Sequence, residues 1–245
     1  MTERVLTWDG CLNVRDLGGH VTGGGRETSF GAVVRADSVR HLTEAGWDAL
    51  VDYGVRRIVD LRRSDELERD PPLDAPVEVV HVPLDDPPHY DELQATWRQE
   101  GDHDASVYAT YVRMTELLAP NFGRAVQTVA DAPPGGVVVH CFAGKDRTGL
   151  TCAMLLRLVG VSIDDIADDY TLSESNIRAI IEPWADAAHD DRERELRLRI
   201  GSSPRQVMVD VLTELERRHG DIAGYLREAG VSPEALERVR GRLLA

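Results

Sequence analysis

One stretch of the 245-residue sequence decides the fold: Val137-Val138-Val139-His140-Cys141-Phe142-Ala143-Gly144-Lys145-Asp146-Arg147-Thr148-Gly149. The three consecutive valines predict a buried β-strand that ends at Cys141. Apolar residues at helical spacing over 150–159 predict a helix that directly follows the loop. A turn this tight between a strand and a helix points several backbone N–H groups inward, so the loop predicts an anion-binding nest.

The sequence before this loop alternates between predicted strands and helices. The predicted strands lie at 31–35, 55–61, 77–82 and 137–141. Thr43 predicts the start of a helix that stops at Gly54, and further helices are predicted over 107–118 and 120–130. This order predicts an α/β fold with a central, mainly parallel sheet flanked by helices.

The rest of the chain sets the domain prediction. We expect a single domain over residues 1–245, with a largely helical C-terminal extension at 162–245. The predicted C-terminal helices lie at 163–170, 173–199, 204–219, 221–229 and 233–244, with Ser162, Ser203 and Ser232 as starts. Residues 83–106 are rich in Pro, Asp and His, with a short helix around 90–98. They predict either a helical lid over a site or a long surface connection.

Composition narrows the classes of partner and compartment. The chain has 43 acidic and 28 basic residues and a formal net charge of -15, which disfavours nucleic acid and anionic membranes as partners. Three cysteines make a poor disulfide framework and fit a reducing compartment. Without a signal-peptide pattern or a long apolar run, we expect no membrane span and a cytoplasmic location, with export lacking a signal as the alternative. The oligomeric state is not predicted.

The loop supplies the groups of a phosphoryl-transfer site. The inward N–H groups and the helix N-terminus favour both a thiolate at Cys141 and a bound phosphate. Arg147 offers a planar fork for two phosphate oxygens. Attack by Cys141 on phosphorus would form a cysteinyl-phosphate, which water then hydrolyses, and we expect neither a metal nor a cofactor. The residues expected to bind the substrate are Phe142, Ala143, Gly144, Lys145, Asp146 and Arg147.

These residues resemble the P-loop of the cysteine-dependent protein tyrosine phosphatase superfamily, and more closely its bacterial and fungal branch with Gly-Lys-Asp-Arg in the loop. Three other segments are similar to motifs of that branch: Asn13-Val-Arg-Asp-Leu-Gly-Gly19, Val34-Arg-Ala-Asp37 and Asp60-Leu-Arg62. The resemblance implies Cys141 as nucleophile and Arg147 as phosphate clamp. It also implies that Lys145 and Asp146 act near the acid step and in substrate choice. The implied substrates are phosphotyrosine proteins, with phosphoserine, phosphothreonine or phosphoinositides as further substrates.

The general acid stays open between several aspartates. Asp146, inside the loop, is the preferred candidate, and Asp60, at the end of a predicted strand, is the second. Asp60 could equally form a salt bridge that orients Arg62 or Arg147. The remaining candidates are Asp85, Asp86, Asp102 and Asp104.

Several residues are expected to support the loop. His140 is predicted to be a buried hydrogen-bonding residue that tunes Cys141, and Thr148 can donate a hydrogen bond to the sulfur. The only lysine, Lys145, adds positive charge beside the anion. Phe142 stands where phosphoinositide phosphatases often have a second basic residue, which favours tyrosine phosphate. Asn13, Arg15 and Asp16 are expected to brace the sheet and its loops.

A non-catalytic module that binds phosphorylated ligands through the same loop is the alternative function. Two other classes of enzyme with a reactive thiol agree less well with this sequence. Arsenate reductases have the loop near the N-terminus and need resolving cysteines, and sulfurtransferases lack the Arg-Thr-Gly start of the helix.

Overall fold

The computed structural model describes residues 4–70, 74–99 and 102–245. At its centre lies a five-stranded sheet with the order β1-β2-β5-β3-β4. The strands are β1 Arg15–Asp16, β2 Val33–Ala36, β3 Val55–Asp60, β4 Glu78–His81 and β5 Gly136–His140. β1 runs antiparallel to β2, and the other neighbours are parallel. The predicted α/β fold with a mainly parallel central sheet is therefore confirmed.

Helices flank this sheet and form most of the C-terminal third. In the described residues they are a 3-10 helix at Val39–His41, α1 Glu44–Asp52, α2 Ser64–Arg69, α3 His89–Gln99, α4 His103–Leu117, α5 Ala119–Ala130, α6 Asp146–Leu158, α7 Ile163–Asn176, α8 Arg178–Asp186, α9 Asp191–Gly201, α10 Arg205–His219, α11 Ile222–Glu228 and α12 Pro233–Leu243. Within the described ranges, no helix has both the length and the apolar character needed to cross a lipid bilayer.

The predicted continuous helix over 173–199 is wrong, because the chain turns between α8 and α9. The Asp190 side chain accepts a hydrogen bond from the backbone N–H of Glu193 at 2.7 Å. The Glu193 carboxylate in turn accepts one from the backbone N–H of His189 at 2.8 Å. This reciprocal pair satisfies N–H groups that a helix start leaves unpaired, so a new helix begins at Asp191.

The predicted helix starts have mixed outcomes. Thr43, Ser162 and Ser232 each accept a hydrogen bond from a backbone N–H of the first turn, which confirms them as N-caps. Ser203 is wrong as a cap, because Pro204 occupies the cap position of α10. The short helix α2 was not predicted, although it follows a segment that carries a motif.

The sheet is buried on both faces. Val137 and Val139 of β5 lie in one apolar core, whereas Val138 lies in the other with Leu50 of α1, as the two-residue repeat of a strand requires. The larger core also includes Phe122 of α5. It continues without interruption into the C-terminal helices through Met208, Val211, Leu226, Leu236 and Val239. The C-terminal helices therefore pack on the same core as the sheet.

This topology places Cys141 at the carboxyl end of the central strand. His140 lies in register with Ala36 of β2 on one side and with Asp60 of β3 on the other. The carboxyl ends of parallel strands are where α/β sheets place ligands, because loops and helix N-termini converge there. The candidate site therefore begins where these strands end.

Candidate active site

A cavity of about 620 Å³ lies at this end of the sheet, and Cys141 is part of its wall. Part of the wall is formed by the loop and the first turn of α6. The rest is formed by side chains of α3, α4, α8 and α9, together with Arg63, Glu66, Asp85 and Ile177. The cavity thus brings Cys141 together with five of the predicted substrate-binding residues: Phe142, Ala143, Lys145, Asp146 and Arg147.

The carbonyl groups of the loop are bonded to the surrounding scaffold. The pairs are Phe142 O with the Ser38 N–H at 2.9 Å, Ala143 O with the Asn13 amide at 3.0 Å, and Gly144 O with Arg35 at 2.8 Å. A trans peptide holds its N–H opposite its C=O, so the N–H groups of 143–145 point away from these donors. None of the backbone N–H groups of 142–147 donates to a described residue. They form a set of free donors suited to an anion.

Gly144 is required by the path of this loop. Its φ is +66°, and a Cβ atom added there would lie 2.5 Å from the carbonyl oxygen of Ala36. A side chain would therefore meet both the left-handed backbone conformation and the end of β2. The loop can turn this sharply only with glycine at this position.

Two of the three donors that hold the loop, Arg35 directly and Asn13 through Arg15, are tied to one buried carboxylate, Asp169 of α7. Its Oδ1 lies 2.9 Å from Arg15 Nε, and its Oδ2 lies 2.8 Å from Arg35 Nη1. Burial alone would raise the pKa of Asp169, but the two guanidinium groups hold that pKa well below its usual range. Arg15 also donates to the Asn13 side chain at 2.6 Å. The predicted bracing by Asn13 and Arg15 thus runs through Asp169, which sequence reasoning missed because no motif surrounds it.

Asp37 and Asp16 occupy the remaining motif positions of the N-terminal part. Asp37 accepts from the backbone N–H groups of Leu12 at 3.1 Å and Asn13 at 2.9 Å, which fixes Asn13 beside the loop. Asp16 accepts from the Gly18 N–H and from the Tyr53 hydroxyl, both at 2.6 Å. Neither carboxylate lines the cavity, among the residues whose placement is described.

Arg147 is held by two acidic residues that approach from different elements. Its Nη1 and Nη2 meet both carboxylate oxygens of Glu66 in α2, with Nη2 3.0 Å from Oε1. Its Nη1 also lies 3.2 Å from Asp85 Oδ1. Burial would lower the pKa of Arg147, but Asp85 and Glu66 hold it well above its usual value. The guanidinium is therefore charged and fixed in direction.

This pairing leaves one edge of the guanidinium open. Glu66 takes the end-on edge formed by Nη1 and Nη2, whereas the side-on edge is formed by Nε and Nη2. No acceptor bonds to Nε of Arg147 within the described ranges. The side-on fork is thus available for two oxygens of a phosphate. Glu66 was missed by sequence reasoning because its helix was missed.

Asp146 lies half-buried in the cavity wall and is fixed by a tyrosine. Its Oδ1 accepts a hydrogen bond from the Tyr111 hydroxyl, and the Tyr170 hydroxyl lies 2.8 Å from that of Tyr111. Burial raises the pKa of both tyrosines, so both stay protonated and Tyr111 can act only as a donor to the carboxylate. Tyr111 was singled out by no pattern in the sequence.

Lys145 is turned toward the C-terminus of α9. Its Nζ donates to the carbonyl oxygens of Ile200 and of Ser202, the latter at 2.9 Å, and lies 3.4 Å from Asp146 Oδ1. A cation on the last carbonyls of a helix stabilises the helix end. The structure thus connects the loop to α9 through Lys145.

Asp60, Arg62 and His140 form a buried group beside the loop. Arg62 Nη2 lies 2.8 Å from Asp60 Oδ2, and His140 Nε2 lies 3.5 Å from Asp60 Oδ1. Burial would raise the pKa of Asp60, but His140 and Arg62 lower it. His140 Nδ1 lies 3.1 Å from the carbonyl oxygen of Cys141. None of the three lines the cavity, among the described residues.

The other predicted residues are scattered. Thr148 is fully buried, and its hydroxyl bonds to no described residue, so the predicted bond to the sulfur is not formed in this structure. Of the alternative acids, Asp85 lines the cavity, and burial raises its pKa although Arg147 and Arg63 oppose this. Asp86 accepts from Ser64 at 2.7 Å, and Asp102 caps α4.

The sequence of this chain is similar to those of known phosphatases. A sequence model of the tyrosine phosphatase family matches residues 6–245. A tyrosine-protein phosphatase of Nostoc commune is 30% identical over 225 residues, covering 86% of this chain and 74% of that protein. The triple specificity protein phosphatase PtpB of Mycobacterium tuberculosis is 26% identical over 272 residues, covering 96% and 97%. A putative tyrosine-protein phosphatase of Cupriavidus necator is 32% identical, covering 71% and 63%. The chain therefore belongs to the tyrosine phosphatase family and is a protein tyrosine phosphatase.

Proposed function

We propose that the protein hydrolyses phosphate monoesters through a cysteinyl-phosphate on Cys141. The observation that carries this proposal is the set of free N–H groups of 142–147 beside the open side-on fork of Arg147. Both sets of donors can neutralise the negative charge of the phosphoryl group in the transition state of its transfer, without a metal. The Cys141 thiolate forms the S–P bond as the P–O bond to the leaving group breaks.

We assign the general acid to Asp146. Its side chain lines the cavity, and the Tyr111 hydrogen bond fixes its direction. It delivers a proton to the leaving oxygen in the first step. In the second step it takes the proton from water, whose oxygen attacks phosphorus while the S–P bond breaks. Asp85 is the competing assignment, because it lines the same cavity and burial raises its pKa.

The proposed substrates are phosphotyrosine proteins. Broader activity toward phosphoserine, phosphothreonine or phosphoinositides is also a proposal, supported by the similarity to a relative named for triple specificity.

We further propose that residues 1–245 form one phosphatase domain. The segment 83–106 remains a candidate lid, supported by α3, which forms part of the cavity wall.

Mass spectrometry of acid-quenched enzyme tests the mechanism directly. Wild type incubated with p-nitrophenyl phosphate is expected to carry a phosphate adduct on the Cys141 peptide. Cys141→Ser should show neither adduct nor turnover, yet should still bind inorganic phosphate. Cys11→Ser, at a cysteine outside the cavity, is the matched control and should retain turnover.

Two outcomes would count against the proposal. Turnover near the wild-type rate in Cys141→Ser would show that Cys141 is not the nucleophile. Phosphate binding by reduced wild type without any turnover would instead support the non-catalytic module.

A further inference from the structure

The charged side chains of the cavity balance one another. In the described part of its wall, three are basic and three are acidic: Arg63, Lys145 and Arg147 against Glu66, Asp85 and Asp146. Their formal charges sum to zero when all six are ionised. The sum is also zero in the reactive state of the proposed mechanism, in which Asp146 is protonated and Cys141 is a thiolate. One phosphate group can use the N–H groups of the loop, but the cavity offers no excess of cations for a second one.

The basic side chains are also occupied. Arg63 Nε donates to Asp65 at 2.8 Å, and the Arg63 guanidinium lies 3.9 Å above the ring of Tyr90. Lys145 is bound to the carbonyl groups at the end of α9. Arg63 Nη1 makes no hydrogen bond within the described ranges, but it lies 3.9 Å from the carboxylates of Glu66 and Asp85, which offset its charge. Arg147 keeps an open edge of two nitrogens, Nε and Nη2, and the nucleophile needs that edge for the transferred phosphate.

Four helices contribute large apolar side chains to the cavity wall: Leu93 and Trp97 of α3, Met114 of α4, Ile180 and Trp184 of α8, and Ile200 of α9. We call these six side chains the apolar wall. The cavity is also lined by the uncharged polar side chains of Gln94 and Thr110. Trp184 is 42% exposed, so this apolar surface reaches the mouth of the cavity. An apolar wall favours an apolar occupant, and it offers a second phosphate no compensation for lost hydration.

We propose that this cavity selects phosphotyrosine flanked by large apolar side chains and discriminates against esters that carry additional phosphate groups. The inference rests on the proposed phosphatase function and names the substrate class of that site. Its basis is the joint arrangement of the open Nε/Nη2 edge of Arg147, the neutral charge balance and the apolar wall. Additional phosphates would lie near Glu66, Asp85 and Asp146 in a partly desolvated space, where like charges repel strongly.

A substrate panel on wild type tests this selectivity. It contains three phosphotyrosine peptides of equal length, with Leu and Phe, with Ser and Gly, or with Asp and Glu beside the phosphotyrosine. It also contains soluble short-chain phosphatidylinositol 3-phosphate and phosphatidylinositol 3,4,5-trisphosphate. We expect kcat/KM for the apolar peptide to exceed that for the Ser/Gly peptide by roughly ten-fold or more. The acidic peptide and the trisphosphate should be the poorest substrates.

A matched pair of variants on α9 tests whether the apolar wall causes the preference for peptides with apolar flanking residues. Ile200→Ser changes a side chain of the cavity, whereas Leu196→Ser changes an exposed side chain of the same helix outside it. The ratio of kcat/KM between the apolar and Ser/Gly peptides should fall toward one in Ile200→Ser and stay at the wild-type value in Leu196→Ser. An unchanged ratio in Ile200→Ser would overturn the role of the wall.

The panel separates this inference from the proposed function. If wild type hydrolyses none of the esters or p-nitrophenyl phosphate, the proposed function fails. If it hydrolyses all three peptides equally, or prefers the acidic peptide or the trisphosphate, the selectivity is overturned while the phosphatase function stands.

Discussion

The carboxylate of Glu66 holds the end-on edge of Arg147, with Arg147 Nη2 3.0 Å from Glu66 Oε1. Since the two residues come from α2 and α6, the proposed phosphate clamp is oriented by a helix that lies far from the loop in sequence. The side-on edge of Arg147 faces no described acceptor. Glu66 thus acts as a positioning residue, and its removal should affect turnover without removing any group that touches phosphate.

The first prediction concerns Glu66. Glu66→Ala should lower kcat/KM for p-nitrophenyl phosphate by roughly a hundred-fold, because a small misplacement of a catalytic group has effects of that order. Glu68→Ala changes an exposed residue of the same helix and should have little effect. Steady-state kinetics on both variants measures this, and equal rates in the two would show that Arg147 does not need Glu66.

The second prediction separates the two candidate acids. Loss of the acid should matter most for a poor leaving group, because its oxygen depends on protonation. Asp146→Asn should lower kcat for phenyl phosphate by about 10²–10⁴-fold but should affect p-nitrophenyl phosphate much less. Asp85→Asn should affect both esters alike, since we expect it to disturb Arg147. The reverse pattern would assign the acid to Asp85.

The third prediction concerns the tyrosine that holds Asp146. Tyr111→Phe removes the hydroxyl that donates to the carboxylate, and a hydrogen bond to a charged group contributes about 1.5–3 kcal/mol. We expect kcat to fall by at least roughly ten-fold with little change in KM, and to fall further for poor leaving groups. Tyr170→Phe retains the Tyr111 donor and serves as control. Equal effects of both variants on both esters would indicate a packing role instead.

The fourth prediction concerns stability and pH. Because the pKa of Asp169 is lower in the folded chain than its unfolded value of about 3.9, its contribution is present above that value and lost as pH falls toward the folded pKa. Asp169→Asn leaves Arg15 and Arg35 buried without their charge partner, and should lower the free energy of unfolding at pH 7 by about 3–5 kcal/mol.

Urea unfolding at several pH values measures this effect. The difference between wild type and Asp169→Asn should shrink as pH is lowered through the acid range. Asp168→Asn, at the exposed neighbour on α7, should leave the midpoint nearly unchanged. A difference that stays constant down to the acid transition would contradict the assigned role of the Asp169 charge.

The sequence determined the local chemistry of this protein. The valine strand, the loop and the following helix are contiguous, so periodicity and turn length were sufficient to place Cys141 and Arg147 in one nest. The N-terminal motif and the Arg-Ala-Asp segment also marked Asn13, Arg15 and Arg35. Those residues bind the loop carbonyls or the side chain that does so.

Only the tertiary structure decided which groups complete the site. Glu66, Tyr111 and Asp169 lie on three different helices, and their roles depend on distances between elements that no local pattern encodes. The same holds for Lys145. The sequence predicted a positive charge beside the anion, whereas the packing of α9 directs the ammonium group to the carbonyls of Ile200 and Ser202. A side chain of this length can reach several partners, and the fold determines which of them lies within hydrogen-bonding distance.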